Sequence, residues 1–207
     1  MLLKRIYSNT NLQDWIPTHQ FGFRRAHSTI QQCHRIADTI NKAHEENKYC
    51  SAVFLDVCQA FDKVWHPGLL YKIKQTWPPE YLNILKSYLR DRYFSVSLNN
   101  KTSTLIPMLS GVPQGSILGP LLYTLYTADL PQTDKTILST FADDTAIFTT
   151  TPDPAQNSAN LQDHLLKNTN WTRKWKLEIN ESKSSYIMFS LRRGQCPPVN
   201  INQTSLK

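Results

Sequence analysis

The chain has 207 residues, enough for one or two hydrophobic cores. Hydrophobic residues make up 40% and charged residues 19%, which excludes a disordered polyelectrolyte, and no run approaches the ~20 apolar residues of a membrane span. A net charge of +7 and a pI near 9.2 favour an anionic partner, because lysines and arginines release counterions from phosphates.

The opening Met1-Leu2-Leu3-Lys4-Arg5-Ile6 is too short in apolar residues for a signal peptide, so an intracellular location, cytoplasm or nucleus and away from membranes, is expected. Cys33, Cys50, Cys58 and Cys196 form no CxxC pair and read as reduced thiols. Residues 28–46 read as a helix: Ser28 and Gln31 have the spacing of a capping box, and Ile30, Cys33, Ala37, Ile40 and His44 form its apolar stripe. The run Cys50 to Leu55 is a short apolar strand that ends on Asp56.

A helical stretch follows Asp62 through Lys74, and Pro78-Pro79 opens another with Tyr81, Leu85, Tyr88 and Leu89 on one face. Phe94, Val96 and Leu98 alternate into a hairpin turn at Asn99-Asn100. After a Gly/Pro-rich stretch at 111–120, a helix from Leu121 to Leu130 ends against Pro131. Two strands, 136–142 and 145–150, join at Asp143-Asp144. Asp153-Pro154 starts a long helix to about Lys176, Tyr186 and Met188 mark a further strand, and the segment from Arg192 is a loosely built polar tail. Helices interleaved with a tight hairpin make the class α+β.

Two adjacent acids at a hairpin tip and a third at a strand end have a specific consequence. Carboxylates ~4 Å apart repel by about 4 kcal/mol at an effective dielectric of ~20, so converging acids imply bound cations or raised pKa values. Paired magnesium ions suit in-line phosphoryl transfer, the chemistry of a nucleotide polymerase or a two-metal nuclease.

Three segments in order carry a resemblance: Phe54 to His66, Ser110 to Pro120, and Phe141-Ala142-Asp143-Asp144. They resemble motifs A, B and C of non-LTR (LINE-type) reverse transcriptases. Gln20-Phe21-Gly22-Phe23-Arg24 with His27-Ser28-Thr29 resembles a fingers motif of that family, and Leu177 to Lys183 resembles motif D. Arg24 to Gln32 and Ala60 to His66 are most similar to the jockey-type elements of insects.

The resemblance implies a right-hand polymerase palm with partial fingers, an antiparallel sheet packed by helices, and RNA-directed DNA polymerase activity on an RNA template, a DNA primer and dNTPs. It implies two magnesium ions, with manganese as substitute, held by Asp56, Asp143 and Asp144 and by the Val57 carbonyl. It places Cys58, Gln59 and Ala60 as backbone donors to the triphosphate, Phe61 as the steric gate against a ribose 2′-hydroxyl, and Gln114 and Gly115 beside the sugar and template base. Arg24 is implied to reach the triphosphate, and Lys183 to protonate the leaving pyrophosphate.

By the same comparison, residues 1–50 are partial fingers, 51–191 the palm with a finger-side insertion at about 72–106, and 192–207 a polar tail that stops before the primer grip and thumb. No protein partner is inferable. The competing reading is an inactive truncated relic that at most binds nucleic acid. A nuclease would explain the acids but not Phe61, Gln114 or the fingers-like segment.

Overall fold

A computed structural model describes residues 2–9 and 15–206. In chain order its elements are α1 (Leu2–Asn9), α2 (Thr29–Glu45), β1 (Tyr49–Leu55), α3 (His66–Thr76) and α4 (Pro79–Leu89). Four two-residue strands follow, β2 (Tyr93–Phe94), β3 (Ser97–Leu98), β4 (Lys101–Thr102) and β5 (Ile106–Pro107), then α5 (Gly119–Tyr126). The remainder is β6 (Ile137–Phe141), β7 (Asp144–Thr151), α6 (Pro154–Lys174), β8 (Ser185–Phe189), β9 (Asn200–Ile201) and β10 (Thr204–Ser205). These elements gather into two compact units, one of residues up to Ile16 and Gln59–Ala128, the other of Pro17–Cys58 and the described residues from Asp129 on.

The second unit is built on a four-stranded antiparallel sheet in the order β6-β7-β1-β8. Alternation along β1 splits its side chains between two cores, which is why the strand is apolar throughout. Val53 and Leu55 join Leu161 and Leu165 of α6, whereas Cys50 and Ala52 join Ala43 of α2. Val53, Ile147, Leu161 and Leu165 are each fully buried, a contribution of roughly 1.5–3 kcal/mol apiece.

Helix α2 begins as the sequence predicts: Ser28 Oγ accepts from the Gln31 amide, and the Gln31 side chain accepts from the Ser28 amide. Its expected stripe is displaced. Ile30, Cys33 and Ala37 are exposed, and the face turned inward carries Gln32, Ile36, Ile40 and Ala43. A polar residue leads that face because its amide is satisfied: Gln32 Nε2 donates to Thr140 O at 3.2 Å, and Arg35 donates to Gln32 Oε1 at 3.0 Å.

Helix α6 is capped by Asp153, whose carboxylate accepts from the Ala155 and Gln156 amides, with Pro154 in its first turn and Arg173 and Lys174 in its last. Much of its buried face is polar. Asn157 Nδ2 donates to Tyr49 O and Thr149 O, and His164 bonds both the Thr136 hydroxyl and Pro131 O. The segment from Arg192 departs from the expected loose tail: β9 and β10 pair as a hairpin that buries Val199, Ile201 and Leu206 in the α6-side core.

In the first unit α3 packs against α4 and α5, and α5 is buried from Leu121 to Tyr126. The Asn99-Asn100 turn joins β3 to β4 with both residues at positive φ, as the hairpin signal predicts. The alternating residues of that segment, Phe94, Val96 and Leu98, are nevertheless exposed within the unit.

Candidate active site

The antiparallel register of the sheet sets acids side by side. Leu55, the last residue of β1, pairs with Thr145, so one further step puts Asp56 opposite Asp144. Across the neighbouring hairpin Phe141 pairs with Asp144, which makes Ala142 and Asp143 the two central turn residues. The turn therefore falls one residue earlier than the sequence suggested, and Asp144 is already in β7. Ala142 has φ +58°, the left-handed conformation that so tight a turn demands.

The pKa of Asp144 is raised above the usual carboxylate range by burial, then by the charges of Asp143 and Asp56. Among the described residues none of the three carboxylates accepts a hydrogen bond or enters an ion pair. Nor do any three His, Cys, Asp or Glu side chains among the described residues form a ready-made metal cage. Magnesium does not require one, since it keeps most of its waters and binds through one or two carboxylates plus substrate phosphates. Like-charge crowding with no compensating cation among the described residues fits a divalent ion at these acids.

The backbone at Asp56 is held by the segment that resembles motif D. The Asp56 amide donates to Ser184 Oγ (3.2 Å), Asp56 O accepts from the Asn180 amide (2.8 Å), and Ser184 Oγ donates to Asn180 O (2.8 Å). Val57 bridges to Ile179, and the Cys58 amide donates to Glu178 O at 2.8 Å. That amide is therefore already engaged, while those of Gln59 and Ala60 donate to no acceptor among the described residues. Ser184 carried no signal in the sequence beyond adjacency to Lys183, and Asn180 none beyond its place in the motif D-like segment. Lys183 is exposed and Arg24 half-buried, and neither side chain forms an ion pair among the described residues.

In the first unit, the turn at 59–63 and the loop at 110–115 are laced together. Val112 N donates to Phe61 O, Gly111 N to Val64 O, Ser110 Oγ to Asp62 O, and Gln114 Nε2 to Asp62 Oδ1 at 3.0 Å. The Phe61 ring stacks on Tyr123 with centroids 4.7 Å apart. Gly115 has φ +79° and open space around it. Gly111, at φ +92°, would bring a Cβ within 2.9 Å of Asp62 O, so Gly111 and Asp62 are partners in the loop to which the resemblance gives no role.

A sequence model of the family described as reverse transcriptase (RNA-dependent DNA polymerase) matches residues 1–205. The chain belongs to the reverse transcriptase family. This reverse transcriptase chain is 43% identical over 208 residues to the probable RNA-directed DNA polymerase from transposon X-element of Drosophila melanogaster, covering 98% of itself and 23% of that protein. It is 38% identical over 210 residues to the RNA-directed DNA polymerase from mobile element jockey of the same species, with the same coverage. The jockey-like resemblance read from the motifs thus holds over nearly the whole chain, which spans 23% of the length of these relatives.

Among solved structures, a telomerase from Candida tropicalis in complex with a fragment of telomeric RNA superposes with a TM-score of 0.66 at 14% identity, over 96% of this chain and 35% of that one. An apo telomerase from the same species gives 0.62 at 15% identity, over 93% and 39%. These likenesses show that the fold is a polymerase palm-like one. Among the described residues no helix is long and apolar enough to cross a membrane.

Proposed function

We propose that this chain forms the catalytic segment of an RNA-directed DNA polymerase, joining a dNTP to the 3′-hydroxyl of a DNA primer on an RNA template. The observation that carries the reading is the crowding of Asp56, Asp143 and Asp144, close enough for the other two charges to raise the Asp144 pKa, with no ion-pair partner for any of them among the described residues. Asp56, Asp143, Asp144 and the Val57 carbonyl are the groups that would hold divalent ions. A bound ion of this kind supplies charge neutralisation and polarisation of phosphoryl oxygens.

The chain's own residues supply position. The Arg24 guanidinium, unpaired among the described residues, suits bidentate capture of a phosphate, and the Gln59 and Ala60 amides are available as further donors. Cys58, assigned the same task by resemblance, gives its amide to Glu178 and serves the strand instead. Phe61, braced by Tyr123, fills the space of a 2′-hydroxyl; Gln114 and Gly115 flank the sugar and template base; Lys183 is the proton donor to pyrophosphate. Phosphoryl transfer depends almost wholly on such positioning and electrostatics.

The test is primer extension on an RNA template with magnesium and dNTPs, using the parent polymerase and its Asp144→Asn variant. Extension by the parent and none by the variant supports the reading. Template binding without extension by the parent would replace it with the relic.

A further inference from the structure

We propose that Gln20 is a positioning residue for the reaction, a side-chain clamp that fixes the Ala142-Asp143 turn, and that residue 22 is glycine to admit the clamp. The inference rests on the reading of Asp143 and Asp144 as metal-holding acids.

The segment before Arg24 meets β6 through a single parallel bridge, Gln20 to Thr140. Thr140 N donates to His19 O, and Phe21 N donates to Thr140 O, each at 3.0 Å, with Gln20 bridged to Thr140. Backbone pairing of this kind runs out where β6 turns. There the Gln20 side chain takes over: Oε1 accepts from Ala142 N at 3.0 Å and from Gly22 N at 2.7 Å, and Nε2 donates to Ala142 O at 3.1 Å. One side-chain amide thus pairs with both backbone polar groups of the residue before Asp143. Gln20 is itself 3% exposed, so water competes little for these bonds.

Ala142 needs such a hold. At φ +58° it occupies a conformation uncommon for a residue with a Cβ, and its conformation directs the next carboxylate along the chain. Gly22 is required for proximity and not for an unusual φ. A Cβ there would lie 2.1 Å from Ala142 N and 2.8 Å from Ala142 Cα, backbone atoms that cannot swing aside. Gln32, donating to Thr140 O, supports the same strand end from α2.

The experiment uses the parent polymerase with four substitutions made singly: Gln20→Ala, Gln20→Glu, Gly22→Ala and Asp144→Asn. In the wild type the Ala142 amide is expected to be protected from hydrogen exchange; exchange as fast as an open turn amide overturns the clamp, however the variants fold. Gln20→Ala is expected to speed that exchange at least about tenfold and to lower kcat roughly ten- to a hundredfold, with KM for dNTP moving less than about threefold. Gln20→Glu keeps an acceptor for the Ala142 and Gly22 amides but has no donor for Ala142 O, and is expected to give protection and kcat between those of Gln20→Ala and the wild type. Gly22→Ala, whose Cβ would collide with Ala142 N, is expected to resemble Gln20→Ala.

Unchanged kcat in Gln20→Ala, in a parent that Asp144→Asn inactivates, overturns the clamp and leaves the polymerase reading intact. Full activity in Asp144→Asn overturns the polymerase reading itself. Parallel loss of kcat, KM and thermal midpoint in Gln20→Ala, unrescued by Gln20→Glu, assigns Gln20 to folding alone and overturns the proposal.

Discussion

Acidification is expected to destabilise this chain through His19, whose backbone carbonyl pairs with Thr140 next to the turn that carries Asp143. The ring is buried, 4% exposed, and its pKa is lowered from 6.5 to about 4, first by burial and then by the Arg35 charge, with Gln132 opposing. Between pH 6.5 and about 4 the unfolded chain therefore binds a proton that the folded chain refuses, so stability is lost as pH falls through that window. At 1.36 kcal/mol per pKa unit the loss amounts to roughly 3 kcal/mol by pH 4, a large fraction of a typical domain's stability. His164, its pKa also lowered by burial, adds in the same direction. Urea unfolding followed by circular dichroism from pH 7.5 to 4, on wild type and on His19→Gln, measures the slope. The variant is expected to lose about half or more of the pH dependence. A slope unchanged by the substitution would refute the assignment to His19.

Four further predictions follow from particular contacts. Asp144→Asn in metal-free buffer is expected to raise the thermal midpoint, because the raised pKa of Asp144 means its charge opposes folding at neutral pH; a lowered midpoint in EDTA would contradict this. Ile201→Ala is expected to cost about 2–5 kcal/mol in denaturant unfolding, since Ile201 lies in the core, whereas a loose tail would give almost no change. Gln32→Leu removes the donor to Thr140 O and is expected to cost about 1–3 kcal/mol, read by the same assay. Phe61→Ala in the parent polymerase is expected to relax discrimination against ribonucleotides, because it removes a clash; an unchanged ratio of dNTP to rNTP incorporation would count against the gate.

The sequence by itself determined the elements whose signals are local. Ser28 with Gln31, Asp153 with Pro154, Asn99-Asn100 and the apolar run into Asp56 act within a few residues, so the caps, the turn and β1 formed where they were read. It also determined family membership, because three motifs in order resembled one family and residues 1–205 match that family's sequence model. What it left open depended on partners distant in the chain. The buried face of α2 is not legible in the sequence because hydrophobicity ranks Gln32 as a surface residue, whereas its bonds to the Thr140 carbonyl and from Arg35 make its burial favourable. The tail after Arg192 looked unstructured because its apolar residues, Val199, Ile201 and Leu206, are few, and they bury only once α6 offers a surface. Likewise the engagement of the Cys58 amide by Glu178, the anchoring of Asp56 by Ser184 and the Gln20 bonds to Ala142 join residues some 120 or more positions apart, or nearly so. Hydrogen bonds of that reach are invisible to spacing, and the tertiary fold decides them because buried donors and acceptors must find partners within the protein.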